Sequence, residues 1–100
     1  MIDWTRVVGF DWDAGNARKS ADKHRVSQAE AEQAFFNEPL LVLEDDRHSV
    51  AEVRFHALGR TEAGRRLPIT FTLRREGALT RVISARDMNV RERTIYAESA

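Results

Sequence analysis

The chain has no cysteine, which removes disulfides and thiolate metal sites from consideration. It has no run of about eighteen apolar residues, so no membrane-spanning helix is expected. The opening Met1-Ile2-Asp3-Trp4-Thr5-Arg6 lacks the apolar core of a secretory signal, and a cytoplasmic setting is the simplest expectation. Neither a G-x-G-x-x-G nor a P-loop is present, so no nucleotide cofactor is expected. No G-x-S-x-G supports a serine triad. The three histidines, His24, His48 and His56, fall at no HxxxH-type spacing, so no metal site is expected either. Linkers, internal repeats and low-complexity segments are also missing, and 100 residues read as one domain over 1–100.

Charge is present but unevenly placed. The net charge is zero, which taken alone argues against a nucleic-acid partner. Residues 1–46 carry five Lys/Arg against ten Asp/Glu, whereas residues 47–100 carry eleven Arg against six Asp/Glu and no lysine. Arginine's planar fork binds phosphate bidentately and keeps its charge in any setting. An all-arginine basic half therefore fits a phosphate-facing surface. Solvated surface arginines fit the same composition equally well.

The periodicity predicts the order β-α-α-β-β-β-β-α. Val7-Val8-Gly9-Phe10 reads as a short edge strand. Asp13 is a good N-cap for a helix over 14–24, with Ala14, Ala17, Ala21 and His24 on one face. Ser27 with Glu30 three residues on forms a capping box for a second helix, whose apolar stripe is Ala31, Ala34 and Phe35. Asn37 and Pro39 stop it. Leu40 to Leu43 is a strand ending in an acidic turn, Glu44-Asp45-Asp46. Glu52 to Gly59 alternates, with Val53, Phe55 and Ala57 on one face and Glu52, Arg54 and His56 on the other. After a turn at Thr61-Glu62-Ala63-Gly64, Leu67 to Arg75 alternates again. Glu76-Gly77 makes a hairpin turn, and Thr80 to Arg86 is the final strand. Asn89, with Glu92 three residues on, caps a last helix. Helices followed by a run of strands predict an α+β fold: an antiparallel sheet of four to five strands with the two N-terminal helices on one face and a C-terminal helix. The other face of such a sheet can be wet.

Strand parity assembles a candidate site on that wet face. Glu52, Arg54, His56, Thr70, Thr72 and Arg74 share it. On the last strand, simple alternation groups Arg86 with Ser84 and Val82, and Arg81 with Ile83 and Ala85 on the core side; a bulge would alter this. Such a face suits metal-free cleavage of RNA: a base takes the ribose 2′-OH proton, arginines offset charge on the transition state, and an acid assists the leaving 5′-oxygen. A surface ion-pair ladder accounts better for Glu52 and Arg54 on their own. On helical spacing with Ala17 and Ala21, His24 fits a hydrogen-bonded core histidine as well as a catalytic one. Trp12 fits a core anchor better than a base-stacking platform.

At several of these positions the sequence resembles the BrnT family of toxins. The matching residues are Phe10-Asp11-Trp12-Asp13, Lys23-His24-x-Val26, Glu30-Ala31, Phe35, Glu52-x-Arg54, Gly59-Arg60-Thr61, Arg81-Val82-Ile83-Ser84-Ala85-Arg86 and Glu92-Arg93-x-x-Tyr96. The resemblance implies a type II toxin with a RelE-like fold, a ribonuclease that blocks translation. It also implies a BrnA-type antitoxin, a DNA-binding protein whose complex with the toxin represses their shared operon. Carried over by position, the implied catalytic residues are Lys23, His24, Glu52, Arg54 and Arg86, with Arg81 as a structural or RNA-contacting member; Arg74, on the open face by parity, is a further RNA-contacting candidate. Arg86 and Arg54 would take the phosphate, Lys23 would support with charge, and the base would be Glu52 or His24. The chain departs from the family pattern at Arg25, where glycine is usual, and at Ser20, where asparagine is common. A binding module that grips nucleic acid or an acidic partner without cleaving it is the competing reading.

Overall fold

The computed structural model describes residues 2–45, 47 and 52–99. Its centre is one five-stranded sheet in the order β1-β5-β4-β3-β2: β1 Gly9–Phe10, β2 Leu41–Asp45, β3 Arg54–Arg60, β4 Arg66–Arg74 and β5 Leu79–Ala85. Strands β2 to β5 pair antiparallel, as expected; β1 joins parallel to β5. The sheet is thus mixed, because the chain crosses from β1 through the whole fold before returning beside it. The first strand is shorter than the Val7–Phe10 run, and a 3-10 turn at Trp4–Arg6 precedes it. The strand after the second helix is longer than expected: Glu44 and Asp45 are part of β2 rather than of a turn, while Asp46 and His48 lie outside the described residues.

Three α-helices flank the sheet among the described residues: α1 Ala14–His24, α2 Gln28–Ala34 and α3 Val90–Glu98. Their starts follow local side-chain chemistry. Asp13 Oδ1 accepts from the amides of Gly15 at 2.9 Å and Asn16 at 3.1 Å. Ser27 and Glu30 close one capping box, Asn89 and Glu92 another, each satisfying backbone donors that the first helical turn leaves free. Helix α1 stops where Arg25 takes φ 56°, a left-handed conformation that suits glycine and costs other residues about 1–2 kcal/mol.

Helix α2 packs on β3 and β4, and α1 packs along β5. The core between α2 and the sheet holds Val26, Ala31, Ala34, Ala57, Leu67, Ile69, Phe71, Val82 and Ala85. Phe71 is its centre, stacked on Phe55 at 5.4 Å and edge-on to Phe35 at 5.1 Å. Burying such a ring is worth about 1.5–3 kcal/mol. A Cβ added at Gly59 would meet the Ala34 carbonyl oxygen at 2.8 Å, so β3 and α2 approach only because this residue has no side chain. Val53, expected in the core with Phe55, is 46% exposed and precedes the strand. Trp12 packs against the core and its indole N–H donates to Glu32 at 2.7 Å, the anchor role that its sequence suggested.

Candidate active site

The face of the sheet away from α2 is organised by register. Arg54 pairs with Thr72 and Thr72 with Arg81; His56 pairs with Thr70 and Thr70 with Ser84. The pairing slips between these two rows: Thr70 meets Ser84, yet Phe71 meets Val82, leaving Ile83 as an extra residue. This β-bulge corrects the simple alternation on β5. Val82 points into the core, where it is fully buried, and Arg81 faces the open side beside Thr72. Arg81 and Arg86 therefore share the open face instead of parting across the sheet.

Arg81 is nonetheless spoken for. Its guanidinium bonds Asp13 at 3.0 Å and lies 3.6 Å from Asp11. Next to it the Asn16 side chain, 6% exposed, donates to the carbonyls of Val82 at 2.9 Å and Asp11 at 3.0 Å. Helix α1 thus covers the stretch of β5 that two-residue β1 leaves unpaired, satisfying an edge carbonyl that would otherwise be orphaned.

Two further ion pairs mark opposite ends of the open face. At one end Arg74 grips Glu52 through two contacts of 3.0 and 3.1 Å. At the other, Arg86 grips Glu92 through 2.8 and 2.9 Å contacts. Arg86 follows the Ile69–Ala85 pair by one residue, level with Pro68 and Leu58, whereas Glu52 is level with Arg74. Six residues of strand separate the two levels, roughly 20 Å at about 3.3 Å per residue. Glu52 and Arg86 therefore cannot act on one phosphate.

His56 lies at the Arg86 end, one open-face row away from Arg86. Its Nε2 is 2.7 Å from Asp45 Oδ2 and its Nδ1 2.9 Å from the Thr70 hydroxyl. Asp45 is buried at the end of β2, while the imidazole is half exposed. An ionised Asp45 can only accept, so Nε2 carries a hydrogen; Nδ1 accepts from the Thr70 hydroxyl in the neutral ring and donates to it in the imidazolium. Glu92 sits in the first turn of α3, which packs against β3. Burial pushes its carboxyl up; the Arg86 fork, the Asn89 amide and the charges of Arg86 and His56 outweigh that and hold it below the ordinary glutamate value. Glu92 is thus ionised at neutral pH, and His56 is near enough to be felt. The same contact with Glu92 raises Arg86 above the usual arginine value, against the opposing effect of burial.

Lys23 and His24 end α1 at the outer edge of the same end. Lys23 is exposed. Arg65 binds the neighbourhood together: it donates to the carbonyls of His24 and Arg25 and to the carboxylates of Glu30 and Asp87. Arg65's hydrogen bonds hold Asp87 below its ordinary value despite burial, and His24's charge adds to this. His24 is half-buried on the edge beside Asp87, next to the Arg86 end and not in the central core cluster.

Of the residues that sequence reasoning singled out, the structure brings Arg86, Lys23 and His24 to one end, leaves Glu52 and Arg74 at the other, and sets Arg54 and Arg81 in the row between. Sequence reasoning missed Asp45, taken for a turn residue, and gave Glu92, a helix cap and a match to the family pattern, no role at the site. The capping box was a visible signal for Glu92; nothing in the sequence tied it to Arg86. Among the described residues no group of three or more His, Asp or Glu side chains converges as a metal site, and no helix is long and apolar enough to cross a membrane.

No curated protein gives a significant match to the chain. The family model described as ribonuclease toxin, BrnT, of type II toxin–antitoxin systems matches residues 12–92. That span contains all five strands except β1, both N-terminal helices and the Arg86–Glu92 pair, and the chain belongs to the BrnT family of ribonuclease toxins.

Proposed function

We propose that this chain is a metal-independent endoribonuclease, built on a RelE-like fold, that halts translation in the cytoplasm by cutting RNA on the open face of its sheet. A BrnA-type antitoxin, DNA-binding and autoregulatory in complex with the toxin, neutralises it. The observation that carries the reading is the Arg86 end of that face. There a guanidinium fork with half-exposed side chain stands on the same side of the sheet as an imidazole fixed by a buried carboxylate. Charge stabilisation by a fixed fork and proton transfer by an imidazole are the two needs of RNA cleavage without a metal. Arg86 takes the scissile phosphate. Lys23 and His24 flank it from α1, and Arg54, Arg81 and Arg74 line the way across the sheet for neighbouring phosphates. Glu52 is paired to Arg74 at the far end.

The test is cleavage of single-stranded RNA by purified protein in EDTA buffer. Wild-type protein is expected to cut, and Arg86→Ala to lose at least ~100-fold in kcat, the scale of removing one donor to a transition-state charge. Retention of RNA without cleavage by wild-type protein would instead identify a binding module. Loss of cleavage on chelation would refute the metal-free reading.

A further inference from the structure

Cleavage at Arg86 needs a base beside the phosphate and an acid across from it. Of the two residues carried over for the base, Glu52 is roughly 20 Å away along the strands, and His24 flanks the Arg86 end from the outer edge beside Asp87. Glu92 is different. It is the carboxylate in direct contact with the Arg86 fork, at 2.8 and 2.9 Å, and its side chain is 20% exposed. It is held on its own backbone by the capping box: it accepts from the Asn89 amide at 2.9 Å while its own amide donates to Asn89 at 2.8 Å. His56 is also near, and Asp45 and Thr70 fix its ring from both sides. A carboxylate on a guanidinium fork and an oriented imidazole one register row away thus stand at one end of one face.

We propose that Glu92 is the general base and His56 the general acid of RNA cleavage in this chain, with Arg86 between them on the phosphate. The assignment rests on the ribonuclease reading above. A phosphate entering the fork takes the place of the Glu92 carboxylate on Arg86 and frees that carboxylate to face the ribose. Glu92 accepts the 2′-OH proton as the 2′-oxygen forms its bond to phosphorus. The bond from phosphorus to the 5′-oxygen breaks, and that oxygen takes a proton from the His56 imidazolium. The products are a 2′,3′-cyclic phosphate and a 5′-hydroxyl; Glu92 ends protonated, His56 neutral, and exchange with water resets both. Asp45 holds Nε2 throughout, so Nδ1, which Thr70 occupies in the free protein, is the atom that serves the leaving oxygen. The ionised Glu92 of the free protein is the correct starting form for a base. Release from Arg86 returns its basicity toward that of an ordinary glutamate, so substrate binding itself activates it.

Glu92 faces Arg86 past β5 and His56 from β3; His56 faces Asp45 from β2 and Glu92 from α3. The experiment is the pH profile of cleavage of a mixed-sequence single-stranded RNA in EDTA buffer, for wild type, Glu92→Gln and His56→Asn, with end analysis of the products. Glutamine serves a capping box as glutamate does, so Glu92→Gln is expected to fold, with a thermal midpoint lowered only by the lost ion pair with Arg86. It should lose ~10²–10⁴-fold in kcat, together with the acid limb, over which activity rises with pH as the base loses its proton. His56→Asn should lose the alkaline limb, over which activity falls as the acid loses its proton. A Glu92→Gln protein that cuts at wild-type rate or faster, or that keeps the acid limb, would overturn the assignment and make Glu92 only an occupant of the Arg86 fork. If wild-type protein leaves the RNA intact, or leaves ends other than a 2′,3′-cyclic phosphate and a 5′-hydroxyl, the ribonuclease reading itself has failed, an outcome distinct from the variant result.

Discussion

The open face carries the same ion pair twice. Arg74 with Glu52 and Arg86 with Glu92 are both two-contact forks, and the two arginine side chains have identical exposure, 43%. Their surroundings separate them. Glu52 stands just before β3, 34% exposed, and its carboxylate touches a strand-end arginine. Glu92 is more buried, locked by its own helix cap, and next to an imidazole fixed by a buried aspartate. An Arg–Glu pair by itself therefore says little about function. What distinguishes a site is the second layer of contacts that fixes the pair and places a titratable neighbour against it.

The largest expected effect sets the two arginines against each other. Arg86→Ala should lower kcat by at least ~100-fold, because its fork meets charge that develops only in the transition state. Arg74→Ala should act on KM and flatten the salt dependence of RNA binding by about one phosphate contact, with kcat retained. Steady-state kinetics on the two variants at several salt concentrations decide this. Equal losses of kcat at both ends would mean that the whole face, not one end, performs the chemistry.

Arg65 is the next lever, because it braces only the Arg86 end. It ties α1, through the His24 and Arg25 carbonyls, to Glu30 of α2 and Asp87 past β5. Arg65→Ala should cost about 1–3 kcal/mol in chemical denaturation, toward the lower figure because its carboxylate partners are partly exposed. Hydrogen exchange should quicken around His24 and Asp87 and stay unchanged around Glu52 and Arg74. Acid should expose the same asymmetry. Glu30 is held down first by the Ser27 amide and then by Arg65; Asp87 is held down by Arg65; and in Glu92 the pull of Arg86 and Asn89 overcomes burial. A carboxylate whose value is depressed in the folded chain takes its proton more readily when unfolded. Its contribution is therefore complete above the ordinary values of 3.8 for Asp and 4.5 for Glu and is lost as pH falls through the folded values. Thermal midpoints followed downward from pH 5 should decline, and Glu92→Gln and Arg65→Ala should each make the decline shallower.

Much of this fold was legible locally. Capping residues Asp13, Ser27–Glu30 and Asn89–Glu92 marked the helix starts, and period-two alternation placed β3, β4 and β5 within a residue or two. Long-range facts were not legible. The parallel pairing of β1 depends on where the chain ends up after four other strands. The Ile83 bulge is an extra residue with no sequence mark of its own, yet it moves Val82 into the core and Arg81 to the open face. Asp45 looked like a turn because it sits in a run of three acidic residues; hydrogen bonds from the His56 imidazole across the β2–β3 pair and from the Arg47 amide help make its burial tolerable. The candidate site suffered most, since parity gives the face of a residue but not its level along the strand. Glu52 and Arg86 share a face and stand at opposite ends of it.

The smallest expected effect tests that separation most directly. Glu52→Gln removes one charge from a pair in which both partners are at least one-third exposed, 34% and 43%. Such a pair is screened by solvent and gives up much of its Coulomb gain to the entropy of holding two long side chains still. The substitution should lower stability by under about 1 kcal/mol, and less in high salt. Arg74 would be left free to turn toward an RNA phosphate, so any change in cleavage should enter through KM. A loss of kcat in Glu52→Gln as large as that in Glu92→Gln would put the base at the Arg74 end and reverse the roles of the two pairs. Because both substitutions remove one carboxylate charge from an arginine fork at opposite ends of the face, the ratio of their kcat losses measures which end carries the chemistry.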